Sequence, residues 1–380
     1  MEIKKLSNTI DMKQYLKELC VDGGGVNILA SKAKTEVFYI KNLKVGAANI
    51  LKQDALSIGA DLAVPRGTVI AAKPYVDCIL IATTKQLQTL SKKELAQPFG
   101  LKELALYLQK YLAIQVNDTI EIMGVINAND DSFFSGSRFE GKRAITRIEE
   151  MIIEGADMID IGGVSSRPNA KVVSSDEELS RLKPILDTIY EAKLYENIRF
   201  SIDSYQEKVV EYALSSGFKI LNDITGFEND ALCKLAAKYN ATAIAMHMAG
   251  TPQNMQDNPH YEDVVLEVYN YLERQSQKLE SFGIKDVVLD VGIGFGKTLD
   301  HNIALIKHLE HFRTLGKKLL VGASRKSMID KIFPSEISKR LPGTLALHLE
   351  AIRNGASIIR VHDVYEHKQA VEVYKALQKG

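Results

Sequence analysis

The chain of 380 residues is poor in cysteine, in net charge and in long apolar runs, and each shortage removes a class of protein. Its three cysteines, Cys20, Cys78 and Cys233, stand far apart and never in a C-x-x-C pair. So sparse and odd a set supplies neither a disulfide framework nor a zinc site, and buried free thiols are expected. Lysine plus arginine number 48 and aspartate plus glutamate 48, so the formal charge is zero. That balance argues against a polyanion-binding surface and against nucleic acid as a partner, while leaving room for a local basic pocket. No apolar run is long enough to span a bilayer. The N-terminal stretch MEIKKLSNTIDMKQYLKELC is charged and lacks the continuous apolar centre of a signal peptide. A soluble, cytoplasmic protein with no membrane partner is expected. The apolar fraction of 46% supports a sizeable core, and the length allows a full barrel plus a second module.

What is present is a repeating unit. From Thr119 onward a short apolar run ends in polar residues and a helical pattern follows. The runs are Ile120–Ile126, Met158–Ile161, Ile198–Ile202, Lys219–Leu221, Thr242–Met246, Val287–Val291, Leu319–Gly322 and Ser357–Val361. Near-continuous apolar runs alternating with helices indicate parallel strands covered on both faces. Eight such units in about 260 residues match a closed (β/α)8 TIM barrel, within the α/β class. Periodicity alone would also allow an open doubly wound sheet, so the barrel rests on the count of eight and on the motifs. Two helices read clearly. One spans Asp176–Tyr190 behind the cap Ser174-Ser175, and one spans Tyr261–Phe282 and stops at Gly283. Residues 1–115 follow no such unit and read as a small α/β N-terminal domain of unknown role, ahead of a barrel over 119–380. In it, Thr35–Ile40, Val69–Ala72 and Cys78–Ala82 suggest strands, and Ala47–Ile58 and Leu101–Tyr111 suggest helices. Gly23-Gly24-Gly25 reads as a flexible turn rather than a phosphate loop.

In such a barrel the active site lies at the C-terminal ends of the strands. Strand one ends at Asn127. The second carries Asp160 and leads into Ser165-Ser166-Arg167-Pro168. Strands three to five end at Asp203, at Asn222-Asp223 and at His247. The sixth carries Asp290 before Gly292-Ile293-Gly294-Phe295-Gly296-Lys297. The last two lead to Ser324-Arg325-Lys326-Ser327 and to Arg360 and His362. Carboxylates and amides suit the donor–acceptor edge of a flat heterocycle, and a carboxylate accepts two N–H bonds from an aminopyrimidine edge. Arginine, lysine, histidine and helix N-terminal amides suit an anion. The pocket therefore reads as built for a polar ring joined to a phosphate-like group. Each residue alone has a plainer use: Asp203 as a helix cap, Asn222 as a turn former. Six or more strand ends of matching chemistry outweigh those readings. His260, His301, His308 and His311 have no metal-motif spacing and read as surface or satisfied core residues.

From about Ile122 to Lys375 the chain resembles the dihydropteroate synthase family, and the stretch around Ala48-Asn49-Ile50-Leu51-Lys52-Gln53 resembles an N-terminal extension seen on some long bacterial forms. The resemblance is carried in order by Met123-Gly124-Val125-Ile126-Asn127, Gly155–Gly163, Ser201-Ile202-Asp203-Ser204, Leu221-Asn222-Asp223-Ile224 and Met246–Pro252. It continues through Gly292–Lys297, Gly322–Ser327 and Arg360-Val361-His362-Asp363-Val364. It implies condensation of 6-hydroxymethyl-7,8-dihydropterin pyrophosphate with p-aminobenzoate to give 7,8-dihydropteroate and pyrophosphate. Carried over by motif, Asp203, Asn222, Asp290 and Lys326 would hold the pterin. Asn127, Arg360 and His362 would hold the pyrophosphate, with Asn127 also a ligand of Mg²⁺. Ser166, Arg167 and Pro168 belong to a mobile loop that encloses p-aminobenzoate, and Ser327 would meet its carboxylate. The resemblance makes Asp203, Lys326 and Asn127 the catalytic set. It also implies a homodimer through barrel helices and sensitivity to sulfonamides.

The chain departs from the family's usual pattern at three places. The first loop reads Asn129-Asp130-Asp131-Ser132-Phe133 where Thr-Pro-Asp-Ser-Phe is usual. The second reads Val164-Ser165-Ser166-Arg167-Pro168 where Glu-Ser-Thr-Arg-Pro is usual. Val291 stands where proline is common. Two other readings share the barrel: a pterin-dependent methyltransferase of the corrinoid type, and a non-catalytic pterin-binding protein. The Ser324–Ser327 run with Arg360 and His362 favours the synthase, because methyl transfer needs no site for pyrophosphate or benzoate.

Overall fold

The computed structural model describes residues 1–7, 10–114, 119–128, 138–164 and 173–378, the side chains of 138–142 excepted. The chain divides into two compact units, residues 1–116 with 375–380, and residues 117–374.

The first unit begins with α1 (Met12–Glu18) and α2 (Gly23–Ala33). β1 (Thr35–Lys44) leads into α3 (Val45–Ser57). β2 (Asp61–Ala63), β3 (Tyr75–Thr83), α4 (Thr84–Lys93) and α5 (Leu101–Leu112) follow. The strands form an antiparallel sheet in the order β1-β3-β2. β3 alternates strictly, with Val76, Cys78, Leu80 and Ala82 buried and their neighbours turned outward. The inward set joins Ala47, Ala48, Leu51 and Ala55 of α3 in one apolar cluster with Leu87, Leu90, Leu101 and Leu108. Alanine at three of the four α3 positions lets helix and sheet approach closely.

Three expectations change here. Val69–Ala72 is a turn, with Ala71 at φ +51°, because Pro65 and Pro74 bracket it and Ala71 N–H closes on Thr68 O. Gly23-Gly24-Gly25 forms the first turn of α2, with Asp22 accepting the Gly25 amide. Cys20 is an exposed thiol, whereas Cys78 and Cys233 are buried.

The second unit is a closed barrel of eight parallel strands flanked by helices. The strands are β4 (Glu121–Asn127), β5 (Met158–Gly162), β6 (Arg199–Asp203), β7 (Ile220–Asp223), β8 (Thr242–Met246), β9 (Val287–Asp290), β10 (Lys318–Val321) and β11 (Ile358–Val361). Helices α6 (Arg138–Glu154), α7 (Ser175–Glu191), α8 (Glu207–Ser215), α9 (Asp230–Lys238) and α10 (Val264–Ser281) serve the first half. α11 (Leu299–Lys307), α12 (Ser327–Ile332), α13 (Leu341–Arg353) and α14 (Val364–Gln378) complete the set. Ser174 caps α7 by accepting the Glu177 amide, as its sequence indicates. α10 starts at Val264, three residues later than the apolar pattern suggests, because Asp263 accepts the Val265 and Leu266 amides and fixes the start.

Strand register sorts the barrel interior into layers. Met123, Met158, Ile220, Ile244, Val288, Leu320 and Ile358 close an apolar layer, one residue from each of seven strands. β6 contributes Ser201, which pairs in register with Ile220. Two residues earlier on their strands, Glu121, Arg199 and Lys318 form an ion-paired floor. Two residues later come Asp160, Asp203, Asn222, Met246, Asp290 and Arg360. Because side chains alternate along a strand, a step of two keeps each of these inside the barrel, now at the C-terminal mouth.

Candidate active site

The polar layer is wired together. Arg360 donates from Nε to Asp160 Oδ2 at 2.7 Å and from Nη2 to Asp203 Oδ2 at 2.9 Å. Asn222 donates from Nδ2 to the same Asp160 oxygen at 3.2 Å. Asp160 is fully buried, and its other oxygen, Oδ1, has no hydrogen-bond partner. Burial, then the neighbouring Asp160 charge, pushes the Asp203 carboxyl up to about 7, against the opposing pull of Arg360. Asp290 is also raised by burial, although its Oδ1 accepts the Gly292 amide at 2.8 Å.

Neighbouring residues take over the plainer uses of these positions. Ser204, not Asp203, accepts the Gln206 amide at 3.1 Å. Asp223, not Asn222, makes the turn, accepting the Thr225 and Phe227 amides at 2.8 Å each. Asp203 and Asn222 are thereby left facing the pocket.

Lys326 stands at the N-cap position of α12, with Nζ 4.2 Å from the centroid of the Phe295 ring. Phe295 packs with Ile224, Met246 and Met255 as an apolar wall of the mouth. Ser327 follows in the first turn of α12 and is exposed. The glycine-rich turn carrying Phe295 is pinned from below. Lys297 is buried and donates to His247 Nδ1 at 2.9 Å, Phe295 O at 2.9 Å and His247 O at 3.2 Å. Burial lowers Lys297 to about 7 and His247 to about 3. Gly292 sits at φ +68°, and a Cβ there would lie 1.9 Å from His247 O, so this close approach requires glycine.

The rim joins two turns. His362 Nδ1 lies 2.9 Å from Ser324 Oγ, and burial, then the charges of Arg360 and Arg325, lowers the imidazole to about 4. Arg325, at φ +55°, grips Asp363 through Nε at 3.0 Å and through Nη2 at 2.5 Å. Asn127 ends β4 half-buried, in register with Gly162.

The structure thus gathers Asp203, Asn222, Asp290 and Arg360 in one layer, with Lys326, Ser327 and His362 on the turns above. Ser166, Arg167 and Pro168 lie outside the described residues, as does the first-loop departure at 129–133. Asp160 is the residue that sequence reasoning underused: it appears among the strand ends, yet its central place between Arg360 and Asn222 comes only from register. Phe295, Asp363 and Ser324 belong to the motifs, yet what they touch likewise comes only from the fold.

A family model described as pterin binding enzyme matches residues 123–362. A bifunctional dihydropteroate synthase/dihydropteroate reductase of Helicobacter pylori is 41% identical over 379 residues, covering 100% of both chains. The chain belongs to the dihydropteroate synthase family of pterin-binding enzymes. Dihydropteroate synthase from Thermus thermophilus, solved with 4-aminobenzoate, is 38% identical with a TM-score of 0.61, over 68% of this chain and 95% of that one. A probable bifunctional folylpolyglutamate synthase/dihydropteroate synthase of Halobacterium salinarum is 34% identical over 97% of this chain and 46% of its own length. The family's barrel therefore accounts for about two thirds of the chain, and both bifunctional relatives extend the match into the N-terminal unit.

Proposed function

We propose that the polar layer holds the pterin ring and that the rim holds pyrophosphate and p-aminobenzoate. The protein is a dihydropteroate synthase, a transferase of folate biosynthesis. One observation supports the site assignment above all: Asp203 and Asn222 pair in register on adjacent strands, and Asp290 pairs with Met246, so all three stand at the mouth ends of their strands. Their oxygens and the Asn222 amide complement the donor–acceptor edge of the ring, and the wall of Phe295 and Met246 suits its flat face.

In the reaction the methylene C–O bond of the pterin substrate breaks and its electron pair leaves with pyrophosphate. The amine nitrogen of p-aminobenzoate forms the new C–N bond, and its proton passes to solvent or to the departing anion. That amine is a competent neutral nucleophile, so no strong base is required. Ionised Asp203 supports the positive charge that develops at the ring. Arg360 favours that ionised form by its 2.9 Å contact. Arg360, His362 and Asn127 face the pyrophosphate, and Ser327 the carboxylate of p-aminobenzoate; the family motif gives Ser166 and Arg167 to p-aminobenzoate as well.

Asn127 offers one hard amide oxygen, and among the described residues no group of three His, Cys, Asp or Glu could hold a metal. That donor set fits Mg²⁺ bound by one protein oxygen with water and substrate phosphates. When bound, Mg²⁺ neutralises charge on the leaving group. A cytoplasmic homodimer through barrel helices completes the reading. Among the described residues no helix is long and apolar enough to cross a membrane.

The test is pyrophosphate release from the pterin pyrophosphate with p-aminobenzoate present. Release separates the synthase from a methyltransferase or a silent pterin binder, and its absence would remove the reading. Lys326→Ala should lower kcat/KM by roughly 100-fold or more, the scale for losing a charge at the reacting centre.

The full-length match to the Helicobacter pylori protein favours a second activity, reduction of dihydropteroate. It would deliver hydride to C6 and a proton to N5 of the ring, from a reduced nicotinamide or flavin. Anaerobic incubation of 7,8-dihydropteroate with each donor tests it, and no tetrahydropteroate with any of them would remove it.

A further inference from the structure

Beneath the rim lie two histidines that the reaction does not use. His348 on α13 and His367 on α14 are each 1% exposed. His348 Nε2 accepts the Ala323 amide at 3.0 Å. His348 Nδ1 lies 2.9 Å from His367 Nε2, and His367 Nδ1 lies 2.6 Å from the Asp363 carbonyl oxygen.

The two ends fix every proton in this chain. A carbonyl oxygen only accepts, so His367 Nδ1 carries the hydrogen and its Nε2 is a lone pair. His348 Nδ1 must then donate to that lone pair, leaving His348 Nε2 free to accept the amide. Both rings are neutral in a single tautomer. A further proton on either ring would set two donors against each other. The charged and titratable groups facing the pair are His362, Asp363 and Glu366, and burial is the largest influence holding both rings below their ordinary range.

The ends of the chain are Ala323, one residue before Ser324, and Asp363, one residue after His362. Ser324 and His362 face each other at 2.9 Å, and Arg325 grips Asp363. The relay is therefore the buried member of three links between the turn after β10 and the turn after β11. We propose that His348 and His367 are positioning residues for the anion half of the mouth, fixing the distance between these two turns. The proposal deepens the site assignment above and rests on its placing the pyrophosphate at Arg360 and His362.

The test uses the full chain with inorganic pyrophosphate and 6-hydroxymethylpterin as separate probes in calorimetry. His348→Leu and His367→Leu should each weaken pyrophosphate about tenfold and lower kcat. Pterin-ring affinity should fall clearly less than pyrophosphate affinity, because Asp203, Asn222 and Asp290 sit on other strands and only Lys326 of the pterin set lies on the tied turn. His348→Gln, which keeps an acceptor for the Ala323 amide, should recover most of the loss, as should His367→Asn, which keeps a donor for Asp363 O. Unchanged pyrophosphate affinity in the leucine variants, or equal loss for both probes, overturns the proposal. If the leucine variants fail to fold, ¹⁵N spectra of the unsubstituted protein decide. Two Nδ1–H tautomers with no titration between about pH 5 and 8 support the relay, and titration of either ring sinks it. Should the unsubstituted protein bind no pyrophosphate, the site assignment fails, while these spectra still judge the relay.

Discussion

The Arg360 guanidinium donates through Nε to the fully buried carboxylate of Asp160 at 2.7 Å, and this contact orients the fork that also reaches Asp203. Asp160 shares the polar layer but is fully buried within it, and it fixes the cation that faces the mouth. Asp160→Asn keeps the shape and removes the charge. Arg360 loses its strongest partner, and Asp203 loses the like charge that resists its ionisation. Turnover should fall roughly 100-fold, with a loss of about 3 kcal/mol of stability, the scale for breaking one side of a buried pair. Steady-state kinetics and denaturant melts check both, and wild-type kinetics would refute the positioning of Arg360.

Asp203 makes a pH-dependent demand on the fold. Its folded pKa of about 7 stands above the ordinary value of 3.8. The native state therefore holds a proton there that the unfolded chain has released. Its contribution is fully present below about pH 4 and is lost as pH rises through 7. Asp203→Asn removes that penalty. The variant should melt higher than the parent at pH 8, by a few kcal/mol in stability, and about equally at pH 4. It should also lose turnover about 100-fold. A variant equally destabilised at both pH values would contradict the assignment.

The contrast between Asp160 and Asp203 shows what the sequence could carry. Eight strands were legible because each is an apolar run closed by polar residues, and those polar residues named most of the mouth. The layer arithmetic was not legible. Knowing that Asp160 meets Arg360 requires the pairing of Arg360 with Met123 and of Met123 with Met158, which is register across three strands. Similarly, nothing local separates Asp223, which makes a turn, from Asn222, which faces the pocket, beyond the alternation of the strand. In the N-terminal unit Val69–Ala72 has strand-forming residues, but the prolines on either side decide its conformation. No motif marks His348 or His367, and only the fold brings their rings within 2.9 Å of each other.

His362 is lowered to about 4 by burial and by Arg360 and Arg325, so it is neutral at pH 7. An arriving pyrophosphate adds negative charge beside it and favours the imidazolium. Binding should then take up protons and tighten as pH falls from about 8 to 6, until pyrophosphate itself gains protons. Calorimetry in buffers of different ionisation enthalpy measures the uptake. His362→Gln should abolish its His-dependent part and weaken pyrophosphate about tenfold. Proton release on binding would place the anion elsewhere.

Each unit has its own apolar cluster, one built on residues between Ala47 and Leu108, the other between Ile122 and Val371. The Thermus thermophilus synthase matches 68% of this chain with 95% of its own, so a complete family barrel needs nothing from residues 1–115. A fragment of residues 119–380 should therefore fold, melt cooperatively and release pyrophosphate within about threefold of the full chain. The reductase reading makes a different demand, because the Helicobacter pylori protein matches across the entire chain. Dihydropteroate reduction, if it requires the N-terminal unit, should vanish from the fragment while synthase turnover persists. Measuring both activities on both proteins separates the roles. A fragment that aggregates would make the N-terminal unit part of the barrel's stability, and a fragment that still reduces dihydropteroate would assign both reactions to the barrel.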